Sequence, residues 1–94
     1  MYMHTIVYDL HKPDEDGYTR LTLAIKKECP DHFEIQRSVW IVGSNKSNAE
    51  LLDTLTESLP SKGYDKLFVS SITLGSQWRN IRGLADFFQT TRTK

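Results

Sequence analysis

The segment Tyr2 to Leu10 is apolar on both of its alternating sets, and it restricts the fold more than any other stretch of the chain. Met3, Thr5, Val7 and Asp9 point one way from an extended backbone, while Tyr2, His4, Ile6, Tyr8 and Leu10 point the other. A strand with apolar side chains on both faces belongs in the middle of a sheet. It ends on the carboxylate Asp9, which runs into a polar loop from His11 to Gly17. An Asp where a central strand stops can place a metal-binding or acid–base group at the rim of a sheet. It can equally be a turn residue.

The loop carries Pro13 and three consecutive acids, Asp14, Glu15 and Asp16. Asp14 or Asp16 suits the N-terminus of a following helix, by side-chain capping and by charge. That helix is expected from about Tyr18 to Cys29, with Tyr18, Leu21, Ala24, Ile25 and Cys29 on one face. Pro30 ends it. His32 to Gly43 is extended but long for one strand in a small domain. A corner or hairpin near Gln36-Arg37-Ser38 would divide it, although neither Gly nor Asn-Gly marks a turn there.

Ser47-Asn48-Ala49-Glu50 is a capping box, in which the Ser hydroxyl and the Glu carboxylate each satisfy a free helix-end amide. The stripe Leu51, Leu52, Leu55 and Leu59 follows, and Pro60 and Gly63 stop the helix. Lys66 to Thr73 alternates as a further strand. The order β-α-β(β)-α-β, with right-handed crossovers, gives an α+β sandwich of ferredoxin-like type: an antiparallel sheet with two helices on one face. Residues 1–76 form this domain. Residues 77–94 form a C-terminal basic extension, expected as a short strand and then a helix from about Leu84 to Thr90.

A chain of 94 residues is one domain with a small core, and pairing into a homodimer through the sheets is a natural way to add buried surface. The 12 basic and 12 acidic side chains balance, so the total predicts no polyanion partner. The distribution is uneven: residues 77–94 carry a net +3 and residues 1–76 a net −3. That basic extension could meet nucleic acid or an acidic protein, or simply be solvated. Cys29 is the only cysteine, which excludes a disulfide within the chain and a zinc site of cysteine type. No signal-peptide pattern opens the sequence, and no run approaches the ~20 apolar residues of a membrane span. The expectation is a cytoplasmic protein with no membrane partner.

Several residues could carry chemistry. Mg²⁺ takes one or two carboxylates and keeps several waters, so Asp9 could hold it if a two-fold axis supplied a second copy. Such an ion lowers the pKa of a water and offsets phosphodiester charge. The plainer reading pairs Asp9 with Lys12 or Arg20, or lets it cap the loop. Asp14, Glu15 and Asp16 lack the ligand spacing of a Ca²⁺-binding EF-hand loop. His4, mid-strand, reads as a packed imidazole. His11 lies nearer Asp9 and is the better histidine for proton transfer. His32 has no evident partner. Ser38 has no Gly-x-Ser-x-Gly context, so no serine hydrolase is indicated. Arg20 and Arg37 are the cations best placed for phosphate. Trp40 and Trp78 could stack on bases, or belong to a core or an interface.

Two segments in order, Val7-Tyr8-Asp9-Leu10 and Ile35-Gln36-Arg37-Ser38-Val39-Trp40, resemble the CRISPR-associated Cas-two endoribonuclease superfamily. Its members open with an apolar strand ending Tyr-Asp, then carry a helix, then a Gln-x-Ser-Val-aromatic strand. The SinR-like branch is more similar still, through Lys12-Pro13, Tyr18, Leu21, Ala24-Ile25, Ser38 to Val42 and Asp65 to Val69. The virulence-associated protein D toxins are more distant. The likeness spans roughly residues 3–73.

The resemblance implies a ferredoxin-like homodimer with facing sheets. The family's metal-binding aspartate falls on Asp9, and its serine and aromatic fall on Ser38 and on Trp40, where Trp replaces the usual Phe. Asp9 and Ser38 are then the implied catalytic residues, with Mg²⁺ or Mn²⁺ held between protomers. Arg20, Arg37 and Trp40 are the candidates for nucleic-acid contact. Family members cleave RNA or double-stranded DNA, while others are non-catalytic bridges in an integration complex. Three functions are therefore expected: a metal-dependent nuclease in CRISPR or related defence, a non-catalytic adaptor binding a defence-complex protein, or a toxin of the virulence-associated D type. The loop after Asp9 is acidic where many relatives place arginines, and residues 77–94 match no family motif.

Overall fold

The computed structural model describes residues 1–14, 16–72 and 76–92. The elements are β1 (Tyr2–Asp9), α1 (Gly17–Glu28), β2 (Asp31–Gln36), β3 (Val39–Ser44), α2 (Asn48–Thr56), β4 (Lys66–Ser71) and α3 (Leu84–Arg92). The four strands make one sheet in the order β2-β3-β1-β4, and every neighbouring pair is antiparallel. β1 is therefore interior, as its two apolar sides require. β1 and β2 run parallel with β3 between them, and β3 and β4 run parallel with β1 between them, so each of α1 and α2 bridges a split pair.

Both helices pack on the same face of the sheet. Ile6, Tyr8 and Leu10 of the β1 segment join Trp40 and Val42 of β3 beneath Leu21 and Ile25 of α1. Leu51 and Leu55 of α2, with Leu59 just beyond it, complete that core. α1 starts in a notch where a side chain at Gly17 would meet Pro13 Cβ at 2.8 Å and Pro60 Cγ at 3.0 Å. The expected side-chain cap is not made: Asp16 holds the N-cap position without a side-chain hydrogen bond. Asp14 instead accepts from Gly17 through its backbone carbonyl (3.1 Å).

Cys29 closes α1, its amide donating to the Ile25 carbonyl at 2.9 Å. Its side chain is fully buried, and burial first, then the charge of Glu28, pushes the thiol up to about 12. It is a core residue that keeps its proton, not a nucleophile. The capping box of α2 is complete: Glu50 N donates to Ser47 Oγ at 3.2 Å, and Ser47 N donates to Glu50 Oε1 at 3.0 Å. These bonds, the backbone one foremost, hold the Glu50 carboxyl below its ordinary range. α2 is shorter than its leucine stripe. Its end tightens into i→i−3 bonds, Ser58 N to Leu55 O and Leu59 N to Thr56 O, which still carry Leu59 into the core.

The extended segment is two strands, joined by a hairpin at Arg37 and Ser38. Ser38 takes the left-handed conformation with φ of +66°, and the strand register shifts between Glu34 and Gln36. The Ser38 carbonyl accepts from Tyr8 N at 3.1 Å, so the turn is fastened to the central strand. The second face of the sheet is only partly covered. α3 lies over its β2 side, with Phe87 meeting Phe33 at 5.6 Å and Leu84 buried. Val7 and Phe68, opposite one another on β1 and β4, stay 37% and 60% exposed. The strand expected before α3 is absent from residues 76–83, and residues 73–75 lie outside those described, as does Glu15. Among the described residues, no helix is long and apolar enough to cross a membrane.

Candidate functional site

The antiparallel register brings the end of β1, the β2–β3 hairpin and the start of β4 to one end of the sheet. Val7 pairs with Val39, so Asp9, Arg37 and Ser38 all lie beyond that pair in the same direction. Lys66 stands directly across from Asp9 on β4. Asp9 is exposed. Among the described residues its carboxylate has no hydrogen-bond or ion-pair partner; the expected pairing with Lys12 or Arg20 is not formed.

The start of the loop that follows is pinned at His11. Asp65 accepts from His11 N through one oxygen and from Ser61 N through the other, both at 2.6 Å. His11 stacks on the exposed Tyr64 ring with centroids 5.1 Å apart. Lys12 adopts a φ of +43°, which turns the chain sharply just past the strand. Asp9 therefore ends its strand across from Lys66, two residues before the pinned His11.

The other sequence candidates are placed differently. Arg37 lays its guanidinium over the Tyr18 ring, 5.6 Å from the centroid. Arg20 pairs with Asp14 at 3.5 Å; both side chains are largely exposed, so the pair contributes little stability. Ser38 acts on the structure through its backbone, as the left-handed turn residue. Trp40 is 3% exposed and donates its indole N–H to Tyr8 Oη at 3.0 Å. Tyr8 in turn meets Tyr18, 6.1 Å between centroids. Trp40 is thus a core residue here, with no face open to a base. His32 donates from Nδ1 to Cys29 O (3.0 Å) and tilts against Trp40.

The opposite end of the sheet holds a partly buried polar network that the sequence did not reveal beyond the packed His4. His4 Nδ1 lies 2.6 Å from Asn48 Oδ1, and Nε2 lies 3.0 Å from Ser44 Oγ. Asn48 Nδ2 donates to Ser71 Oγ at 2.9 Å, and Lys46 N donates to Ser44 Oγ at 3.2 Å. Asn48 Oδ1 can only accept, so Nδ1 carries the proton in this arrangement. Ser44 is fully buried, which makes the triad a structural clamp rather than a nucleophile and base.

Among the described residues, no three His, Cys, Asp or Glu side chains gather into a metal site. A single exposed carboxylate is a minimal protein contribution to Mg²⁺, which keeps most of its waters and accepts few protein ligands. Compared with known proteins, the chain matches no family model and no curated protein sequence significantly.

Proposed function

We propose that the chain is a ferredoxin-like, Cas-two-like homodimer that cleaves phosphodiester bonds of RNA or DNA with a divalent metal. The carrying observation is Asp9: an exposed carboxylate, without a partner among the described residues, on a pinned rim at the end of the interior strand. The strand order β4-β1-β3-β2, with α1 and α2 on one face, supports the ferredoxin-like reading.

In this reading Asp9 and its mate from the second protomer hold Mg²⁺ or Mn²⁺, which supplies charge neutralisation at phosphate and an activated water. Lys66 stands one strand away to meet a neighbouring phosphate. Arg37 can reach substrate by leaving the Tyr18 ring, an exchange that costs about 0.5–1 kcal/mol at an exposed site. Comparing wild type with Asp9→Ala for RNA and DNA cleavage in Mg²⁺ or Mn²⁺ tests the proposal; equal activity would rule it out.

The dimer would use the open part of the second face, because α3 already covers the β2 side. Phe68 and Val7 are the exposed apolar residues there. Phe68→Glu is expected to convert a dimer to monomer by sedimentation equilibrium, without loss of helix content. A variant that still sediments as a dimer would exclude this face.

A second reading, the non-catalytic module, has its own support. Arg20 is tied to Asp14, Arg37 rests on Tyr18 and Trp40 is buried, so the expected nucleic-acid contacts are engaged within the chain. A protein partner from a defence complex would then take the role of substrate, and absence of cleavage by wild type would favour it.

A further inference from the structure

Residues 78–83 bend and turn ahead of α3, and a shallow, largely open recess of about 580 Å³ lies on them, lined by Trp78, Asn80, Ile81 and Arg82. The turn is set by two left-handed positions, Asn80 at φ +60° and Gly83 at φ +88°. Asn is among the few side-chain-bearing residues that adopt this conformation readily. Gly83 there packs close to Phe33, where an added Cβ would lie 3.3 Å from the ring. A chain of rings fixes the indole: Trp78 meets Phe88 at 5.6 Å, Phe88 meets Phe87 at 6.0 Å, and Phe87 meets Phe33 of β2 at 5.6 Å.

Trp78 nevertheless remains 41% exposed. Arg79 and Arg82 make no ion pair among the described residues. An open indole backed by Phe88, in a recess that Arg82 also lines and with Arg79 as its chain neighbour, matches what a single-stranded nucleic acid offers: a planar base with a phosphate on either side. An acidic peptide would use the arginines and leave the indole without a partner. A duplex keeps its base faces stacked on one another.

We propose that this recess binds one nucleotide of a single strand, its base stacked on Trp78 and its flanking phosphates held by Arg79 and Arg82. It shares a class of partner with the Asp9 reading but not a site. α3 is anchored on Phe33, level with Thr5 of β1, and Asp9 lies four residues farther along that strand, ~13 Å at strand spacing.

The test uses the full chain carrying Asp9→Ala, in EDTA, so that cleavage plays no part. A labelled oligo-uridine or oligo-thymidine is titrated by anisotropy, with indole emission followed in parallel. Binding with quenched emission is expected. Trp78→Ala should weaken it by roughly 5- to 150-fold, and Trp78→Phe by less, because a ring remains to stack. Removing Arg79 or Arg82 by substitution with Gln should each reduce the salt dependence, log K against log[salt], by about 0.7. An abasic oligonucleotide of equal length should bind wild type as weakly as the normal strand binds Trp78→Ala. No binding by wild type, or unchanged affinity in folded Trp78→Ala, would overturn the proposal. So would equal competition by polyglutamate, which would assign the patch to an acidic protein. None of these outcomes bears on cleavage at Asp9.

Discussion

Trp40→Ala is expected to lose roughly 3–5 kcal/mol of folding stability, the largest single effect in the chain. The indole belongs to the core cluster on the helix-covered face and is 3% exposed. Its N–H is also the donor to Tyr8 Oη, so truncation leaves a cavity and removes a buried hydrogen bond at once. A domain of this size has ~5–14 kcal/mol in total, so the variant should be marginal at room temperature. Trp40→Phe, which keeps an aromatic ring without the N–H, separates the two terms. It keeps most of the packing and should cost about 1–3 kcal/mol, chiefly for the unpartnered hydroxyl. Urea denaturation reads both as a shift in midpoint at constant slope. A loss under about 1 kcal/mol for Trp40→Ala would show that the ring is not in the core, and base stacking by Trp40 would regain its standing.

The second large effect is expected at His4. Its imidazole joins β1 to β3 through Ser44 and to the first turn of α2 through Asn48, which itself bonds Ser71 at the end of β4. His4→Ala removes the partner of the part-buried Asn48 Oδ1 and one of the partners of the buried Ser44 Oγ, which keeps its bond from Lys46 N; a buried polar group left without its partner costs about 1–3 kcal/mol. The total should fall near 2–4 kcal/mol once some relaxation is allowed. Asn48→Ala alone should cost less, since its amide is only part-buried. A double-mutant cycle on His4 and Asn48 should give a coupling of about 0.5–3 kcal/mol. Coupling near zero would mean that the 2.6 Å contact contributes packing alone.

These two sites show what was legible in the residues. The two-sided apolar run of β1 announced an interior strand, and Ser47 with Glu50 announced the start of α2, because both signals are local. The hairpin at Ser38 was not marked, since a serine in the left-handed region has no sequence signature. It is held instead by a long-range bond from Tyr8. The helix-start acids Asp14 and Asp16 looked like side-chain caps, yet the backbone of Asp14 does that work. Trp40 read as a stacking candidate because strand periodicity alone does not say which of two faces the helices cover. The same ambiguity hid Lys66, whose position across from Asp9 depends on the register of a strand far along the chain. The His4 clamp requires four elements to meet, and no spacing in the sequence encodes that. Asp9 was legible as a strand end; its lack of a partner was not.

That lack of a partner is the centre of the functional proposal, and a cleavage assay addresses it most directly. Labelled RNA and duplex DNA are incubated with wild type, Asp9→Ala and Lys66→Ala in Mg²⁺ or Mn²⁺, and again with EDTA. Asp9→Ala should lower the rate by at least about 100-fold, the scale of losing a metal that contributes several kcal/mol at the transition state. EDTA should abolish cleavage by wild type. Lys66→Ala should weaken substrate binding while leaving metal-dependent turnover detectable. Cleavage by Asp9→Ala at the wild-type rate, or by wild type in EDTA, would contradict the proposal.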